Sequence, residues 1–364
     1  MSKYSEILSQ EICDKLIDFR QTNDAKIFAK SNLREAFGAG ILASVQDESS
    51  RNADGNSRIL TLSADLSSSV GLDKFRETYP DNYVELGIAE QNLVGVAAGL
   101  AHVGLKPFAM SYAAFNPGRN YEQIRTMIAI NDLPVTIVGT HTGLNVGPDG
   151  ATHEMLEDVA LMRALPNMAV FVPGDAEEAF ATARFLTNFD HPAYVRLPRA
   201  DSINIFRENE NFAKFEPRIL REGRDITLVG YGTMTGQNLL AAEFLAKVGI
   251  EAEVIHFAKL TDVDLTNVWS SIAKTGALIV AEEHELNGGF GEEIAARFLE
   301  NYQTIFAKSN KKIQKKILRN NGIKFARIGI DGKFGQSGTA EELAKFYKLD
   351  AQSIAKKVEH ILQK

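Results

Sequence analysis

With 364 residues, 45% of them hydrophobic and 24% charged, the chain is long enough for two or more domains and has the composition of an ordinary globular protein. A formal net charge of -7 argues against a general nucleic-acid or anionic-membrane surface, so any anionic ligand has to be met by local arginines. The single cysteine, Cys13, excludes an internal disulfide framework and a cysteine metal cluster; with no apolar run of membrane-spanning length, the chain reads as cytoplasmic.

Residues 1–30 carry an amphipathic helical pattern, expected to form an arm on the first domain. A helix then opens at Leu33, capped by Ser31 or Asn32. Arg34 falls in its first turn, where the helix dipole disfavours a cation. Residues 47–57 are polar and turn-rich. The run from Arg58 to Ser63 reads as a short buried strand, and the polar residues from Asp65 to Ser69 follow its carboxyl end, where open α/β sheets hold ligands. Helix capping and turn chemistry are the plain alternative for these serines. An extended entry through Tyr83-Val84-Glu85 leads to a helix beginning near Ala89, whose small, apolar body sets Gly95 and Gly99 one turn apart on a face open to another backbone. Glu90, in its first turn, is either an electrostatic cap or a carboxylate offering a strengthened hydrogen bond at a close-packed interface.

An extended run from Lys106 to Phe115 carries Tyr112 and Phe115, and after a short loop a helix begins near Tyr121. The apolar strand from Leu133 to Gly139 delivers a loop with His141, Asp149, His153 and several glycines, too rich in polar and flexible groups for a mere connector. No further ligand lies at a metal-like spacing beside these histidines. A strand from Met168, a helix capped by Asp175 and a strand from Pro192 to Pro198 follow, with Arg199 just beyond. Residues 201–221 read as a linker, and strands and helices alternate again over 222–364. Two glycine-rich turns, at 230–236 and 288–291, could hold a phosphate on backbone amides, although neither has the dinucleotide or Walker spacing. The basic segment 308–319 reads as a solvated helical face, ahead of a final capped helix pair.

Gly87-Ile88-Ala89-Glu90-Gln91-Asn92 resembles the signature of the transketolase family, and further matches follow the family order: Ser63-Ala64-Asp65 before it, then Ser111 to Phe115, Gly147 to His153, and Arg196 to Arg199. The resemblance covers nearly the whole chain. It implies an α/β fold of two domains with mostly parallel sheets: a pyrimidine-binding domain with its N-terminal arm over 1–200, a linker, and a transketolase C-terminal domain over 222–364. It implies that Glu90 hydrogen-bonds the aminopyrimidine of thiamine diphosphate and that Phe115 or Tyr112 stacks on it, with Asp65 nearby. It gives the phosphate of the substrate to Arg34, Ser69, His141 and Arg199, a substrate hydroxyl to Asp149, and the hydroxyls at the reacting end to His153.

The Gly-Asp-Gly motif and following Asn that hold Mg²⁺ and the diphosphate in this family are missing; Asp54-Gly55 and Asp331-Gly332 lack the preceding glycine. The expectation is therefore the second subunit of a split transketolase, moving a two-carbon ketol unit between sugar phosphates in the manner of the pentose phosphate pathway. Such a subunit would form a homodimeric core flanked by two N-terminal partner chains that carry most of the Mg²⁺ contacts, a heterotetramer. The rival readings are the beta subunit of a 2-oxo acid dehydrogenase, deoxyxylulose-phosphate synthase, and a degenerate regulatory subunit without catalysis. Phosphate-binding arginines and the loop from Asp149 to His153 favour transketolase.

Overall fold

A computed structural model describes residues 30–46, 57–207, 210–212, 215–319 and 322–363. Cys13, nearly all of the expected N-terminal arm and most of the stretch 47–57 lie outside the described residues. A short strand β1 (Lys30–Ser31) leads into the helix Leu33–Gln46, and the first sheet follows. It is built from β2 (Ile59–Ser63), β3 (Tyr83–Glu85), β4 (Lys106–Tyr112), β5 (Thr136–Thr140), β6 (Ala169–Phe171) and β7 (Ala193–Arg196), in the order β3-β2-β4-β5-β7-β6. Every pairing in it is parallel. β5 is buried along its whole length and β4 over all but its last residue, which is why both read as near-continuous apolar runs.

Crossing back, β8 (Ser202–Ile203) pairs antiparallel with β1. The second sheet contains β9 (Arg218–Arg221), β10 (Ile226–Tyr231), β11 (Ala252–Phe257), β12 (Ala277–Glu285) and β13 (Lys324–Ile330), in the order β13-β12-β10-β11-β9, with only β9 antiparallel. The stretch read as a linker thus holds a short strand at each end. Neither has an apolar alternation to announce it; each exists because a distant partner strand satisfies its backbone. Two other elements differ in extent from the sequence reading. The strand entering the aromatic segment stops at Tyr112, because the amides of Phe115 and Asn116 turn back onto the Tyr112 carbonyl at 2.9 and 2.8 Å. The stretch read as a glycine-rich turn over 230–236 is shorter, because a helix already begins at Thr233 and runs to Ala246.

Glycines bring the first helix down onto the turn after β2. A Cβ at Gly38 would stand 2.1 Å from the Gly71 carbonyl oxygen, and Gly71 itself has φ +83 and packs on the Arg34 carbonyl. On its other side the helix lies against Ala176–Leu186, so closely that a Cβ at Gly40 would meet the Phe180 carbonyl oxygen at 2.5 Å. Asn32 is the cap, its Oδ1 accepting from the amides of Arg34 at 3.1 Å and Glu35 at 3.2 Å.

The two sheets are joined through buried charge. Asp158, 0% exposed, accepts from Tyr194 Oη at 2.7 Å and from Arg196 Nε at 2.8 Å, and Arg196 Nη2 donates to the Glu283 carbonyl at 2.9 Å. Asp158 holds the Arg196 guanidinium charged against its burial. The Glu283 carboxylate accepts from the Asn145 amide at 2.9 Å and from Thr233 Oγ1 at 3.0 Å, so β12 also grips the loop after β5. Removing one partner of such a pair strands the other charge in a dry site. Asp158→Asn is expected to cost about 3–5 kcal/mol in urea unfolding, against little change for exposed Asp81→Asn.

Glu154 presents the opposite case. It is 7% exposed, neither carboxylate oxygen has a hydrogen bond of ordinary geometry, and a Cβ at Gly335 would stand 1.7 Å from Oε2. Burial, then the charge of Glu283, push its carboxyl up to about 7, and the nearby Gln336 amide offsets only part of this. The native state therefore binds more protons than the unfolded chain between the ordinary value of 4.5 and about 7, so the penalty is absent below 4.5 and grows as pH rises through 7. Glu154→Gln should raise stability by about 1–3 kcal/mol at pH 8 and change it little at pH 4, as read by denaturant titration at both values.

Candidate functional site

Glu90 heads the helix Glu90–His102 and is 2% exposed. Its Oε2 accepts from Arg119 Nη1 at 2.7 Å and its carbonyl from Asn120 Nδ2 at 2.9 Å, while Oε1 has no partner among the described residues. Asn120 Nδ2 also reaches Asn116 Oδ1 at 3.0 Å, and Asn116 Nδ2 donates to the Ala109 carbonyl at 3.0 Å, so the turn after β4 is pinned beneath the carboxylate. The Arg119 guanidinium lies over the Phe115 ring, 4.4 Å from its centroid. Phe115 is edge-on to His153 at 5.4 Å, whereas Tyr112 stacks on His141 at 3.7 Å between centroids. Glu90, Phe115, Tyr112, His141 and His153 are thus drawn into one cluster.

A basic site adjoins it. Arg34 donates through Nη1 to the Ser69 carbonyl and through Nη2 to the Arg199 carbonyl at 3.0 Å, and its buried Nε has no partner. Arg199 Nη1 donates to the Val146 carbonyl at 2.7 Å, with Asp149 Oδ2 at 3.9 Å as its nearest carboxylate. His141 stands by both arginines. Its burial, then the charges of Arg34 and Arg199, depress the imidazole to about 3, so it is neutral at ordinary pH. Its Nδ1 is engaged by Thr140 Oγ1 at 3.0 Å, and its backbone has φ 55, a left-handed conformation that a non-glycine residue holds only where its surroundings enforce it. Two guanidiniums pinned by carbonyls beside one neutral histidine concentrate positive charge that carbonyl oxygens orient but do not neutralise.

Of the residues singled out from sequence, Arg34, Ser69, His141, Asp149 and Arg199 come together here. Asp65 stands apart: exposed, with φ 61, it is held by its amide to Glu85 Oε1 at 2.8 Å, and its carboxylate makes no hydrogen bond. The sequence reading missed Arg119, Asn116, Asn120 and Glu85. The signal for the first three was a cation and two amides packed around Pro117-Gly118 at the carboxyl end of a strand; Glu85 was passed over as part of an extended entry. The rival phosphate turns are filled from within. Glu282 accepts from the amides of Phe290 at 2.9 Å and Gly291 at 3.2 Å, and burial pushes its carboxyl up to about 7. The turn at Gly232 faces the Glu283 carboxylate through Thr233. At 288–291 the amides are already taken by a carboxylate, and at Gly232 a carboxylate beside the turn opposes a second anion.

Comparison with known proteins gives the same architecture a family. Residues 42–202 match the transketolase pyrimidine binding domain and residues 216–354 the transketolase C-terminal domain. The chain is 38% identical over 311 residues to the "Putative transketolase C-terminal section" of Methanocaldococcus jannaschii, covering 84% of this chain and 91% of that one. It is 33% identical over 312 residues to a 6-deoxy-6-sulfo-D-fructose transketolase subunit of Clostridium sp. (strain MSTE9), covering 86% and 91%. A split-gene transketolase solved as an inactive beta4 tetramer superposes with a TM-score of 0.77 at 36% identity, covering 91% of this chain and 98% of that one. The chain belongs to the transketolase family, carries its pyrimidine-binding and C-terminal domains, and is similar over most of its length to the C-terminal sections of split members.

Proposed function

We propose that this subunit completes a thiamine diphosphate-dependent transketolase that moves a two-carbon ketol unit from a ketose phosphate to an aldose phosphate. The observation that carries the reading is the buried Glu90 carboxylate, with one oxygen fixed by Arg119 and the other free, beside an anion site built from Arg34 and Arg199. These residues fit the pyrimidine end of the cofactor, which when bound supplies the carbanion chemistry. Glu90 Oε1 would hold a proton at a ring nitrogen, strengthened by low local dielectric. Arg119 would act by fixing the carboxylate. Phe115 would supply the aromatic face, since Tyr112 is engaged by His141. Asp65 has no contact that assigns it a part.

On the substrate side, Arg34 and Arg199 would clamp the phosphate while neutral His141 contributes a hydrogen bond rather than a charge. Asp149 and His153 would read hydroxyls, and fixing the remote phosphate would align the reacting carbon. Mg²⁺ and the diphosphate would fall to a partner chain carrying the Gly-Asp-Gly motif that this sequence lacks. Each half of the chain would be a domain, divided over residues 201–221. A second copy would cover the Gly95 and Gly99 face, where among the described residues nothing beyond the helix's own nearby backbone comes within 4 Å of a Cβ placed at Gly99, and where Ile88 and Val103 near the helix ends are 76% and 72% exposed. Together with two partner chains this gives a heterotetramer working on sugar phosphates in the cytoplasm.

The test is reconstitution with the N-terminal subunit, assayed with xylulose 5-phosphate and ribose 5-phosphate and, separately, with pyruvate. The chain alone should bind thiamine diphosphate weakly and show no turnover; tight Mg²⁺-dependent binding and activity without a partner would refute the split-enzyme reading. Glu90→Gln should lower the reconstituted rate about 100-fold or more while the melting temperature holds, and a near-normal rate would remove Glu90 from the chemistry. Arg34→Ala or Arg199→Ala should raise KM for phosphorylated sugars by an amount worth about 1.5–3 kcal/mol and leave unphosphorylated substrates nearly unchanged. Equal losses on both would dismiss the phosphate site.

A further inference from the structure

The second sheet carries a concentration of positive charge that the proposed reaction does not use. An open groove of about 770 Å³ runs beside the edge strand β13 and is lined by Lys333, Lys345, Lys348, Lys356 and Lys357 together with Arg327. Asp331 is the only carboxylate lining it. The five lysines are exposed and none has an ion-pair partner among the described residues, on a chain whose net charge is -7. Lysines do guard exposed sheet edges, but guards sit on the edge strand itself. Here Lys356 and Lys357 project from the helix Ala351–Gln363, Lys345 from Ala340–Phe346 and Lys348 from just after it, so two helices and a loop converge their charges on one concave surface.

We propose that this groove is a binding site for a small molecule carrying two or more phosphates, of the nucleoside di- or triphosphate class. Its volume lies in the range of small-molecule pockets. Flexible ammonium groups without carboxylate partners suit several phosphates better than one planar carboxylate. Phe346, 62% exposed, lines the same groove and offers a ring face for a base. The site also has a route to the loop of Asp149 and His153. Lys333 begins the segment 333–338, the Phe334 carbonyl accepts from Tyr347 Oη at 3.0 Å, and the far end of the segment packs against that loop. A Cβ at Gly150 would meet Ser337 Oγ at 2.7 Å and one at Gly147 the Gly338 carbonyl at 3.1 Å. An occupied groove is therefore placed to steady the loop, a consequence that rests on the function proposed above, although binding itself does not.

Calorimetric titration of the full-length chain with ATP and with tripolyphosphate tests the site. Saturable one-to-one binding is expected for both, tighter for ATP because of its ring, and weakening as salt rises. The triple variant Lys345→Ala, Lys356→Ala, Lys357→Ala should lose about tenfold or more in affinity, and the corresponding triple Lys→Arg variant should retain it. Glu90→Gln and Arg34→Ala should bind as the parent does, which separates this site from the proposed active site. Unchanged affinity in the alanine variant, loss of affinity in Arg34→Ala, or saturable binding of polyglutamate but not of tripolyphosphate would each overturn the proposal; the last would mark the groove as a docking surface for an acidic protein.

Discussion

The structure hangs on one buried ion pair, that of Asp158 with Arg196, both almost fully removed from water. Its attraction offsets a large desolvation penalty with the help of two further partners, Tyr194 on the carboxylate and the Glu283 carbonyl on the guanidinium. Arg196 ends β7 of the first sheet and Glu283 lies in β12 of the second, so the pair is a rivet between layers as much as an interaction within one. The same β12 reaches Asn145 through the Glu283 carboxylate. The loop between β5 and Met155 is thereby anchored at its root and can hold His141, Asp149 and His153 over the carboxyl ends of the strands, where parallel sheets place their chemistry.

Around that anchor, charge is handled in two contrasting ways. Glu90, Asp158, Glu282 and Glu283 each receive donors that hold their oxygens in fixed directions. Arg34 and Arg199 are held instead by carbonyl oxygens, which orient a guanidinium without neutralising it. The result on an acidic chain is a local positive field with geometry already set, and preorganised groups of this kind lose little on meeting an anion. Neutral His141 between the aromatic ring of Tyr112 and the two arginines fits the same logic, since a third cation there would be repelled by both guanidiniums.

Much of this was legible in the chain. The apolar runs of β4, β5, β10 and β12, the small-residue helix headed by Glu90 and the polar loop after β5 follow from local pattern, because burial on both faces of a parallel sheet leaves a mark on every residue of a strand. The words around Glu90 carried the family. Arg34 could be marked as misplaced in its helix turn because the dipole rule is local, and the structure supplies the companion arginine that the rule could not name. The Asp175 cap was likewise legible and the first helix's cap was narrowed to Ser31 or Asn32, of which the structure uses Asn32, since capping depends on residues three apart or fewer.

What the tertiary structure alone decided is everything that depends on long separation in sequence. Arg119 meets Glu90 across 29 residues, Arg34 meets the Arg199 carbonyl across 165, and Arg196 meets Glu283 across 87, and no local pattern encodes such a distance. The short strands β8 and β9 exist because partners far along the chain satisfy their backbones; Glu282 of β12 takes the amides of the turn at 288–291, and Glu283 sets a buried carboxylate against Thr233 at the turn of Gly232. The sequence by itself determined the layers, the family and which residue types could do chemistry. Packing decided which of them share a site, because direction, burial and the pairing of charges are properties of neighbours in space.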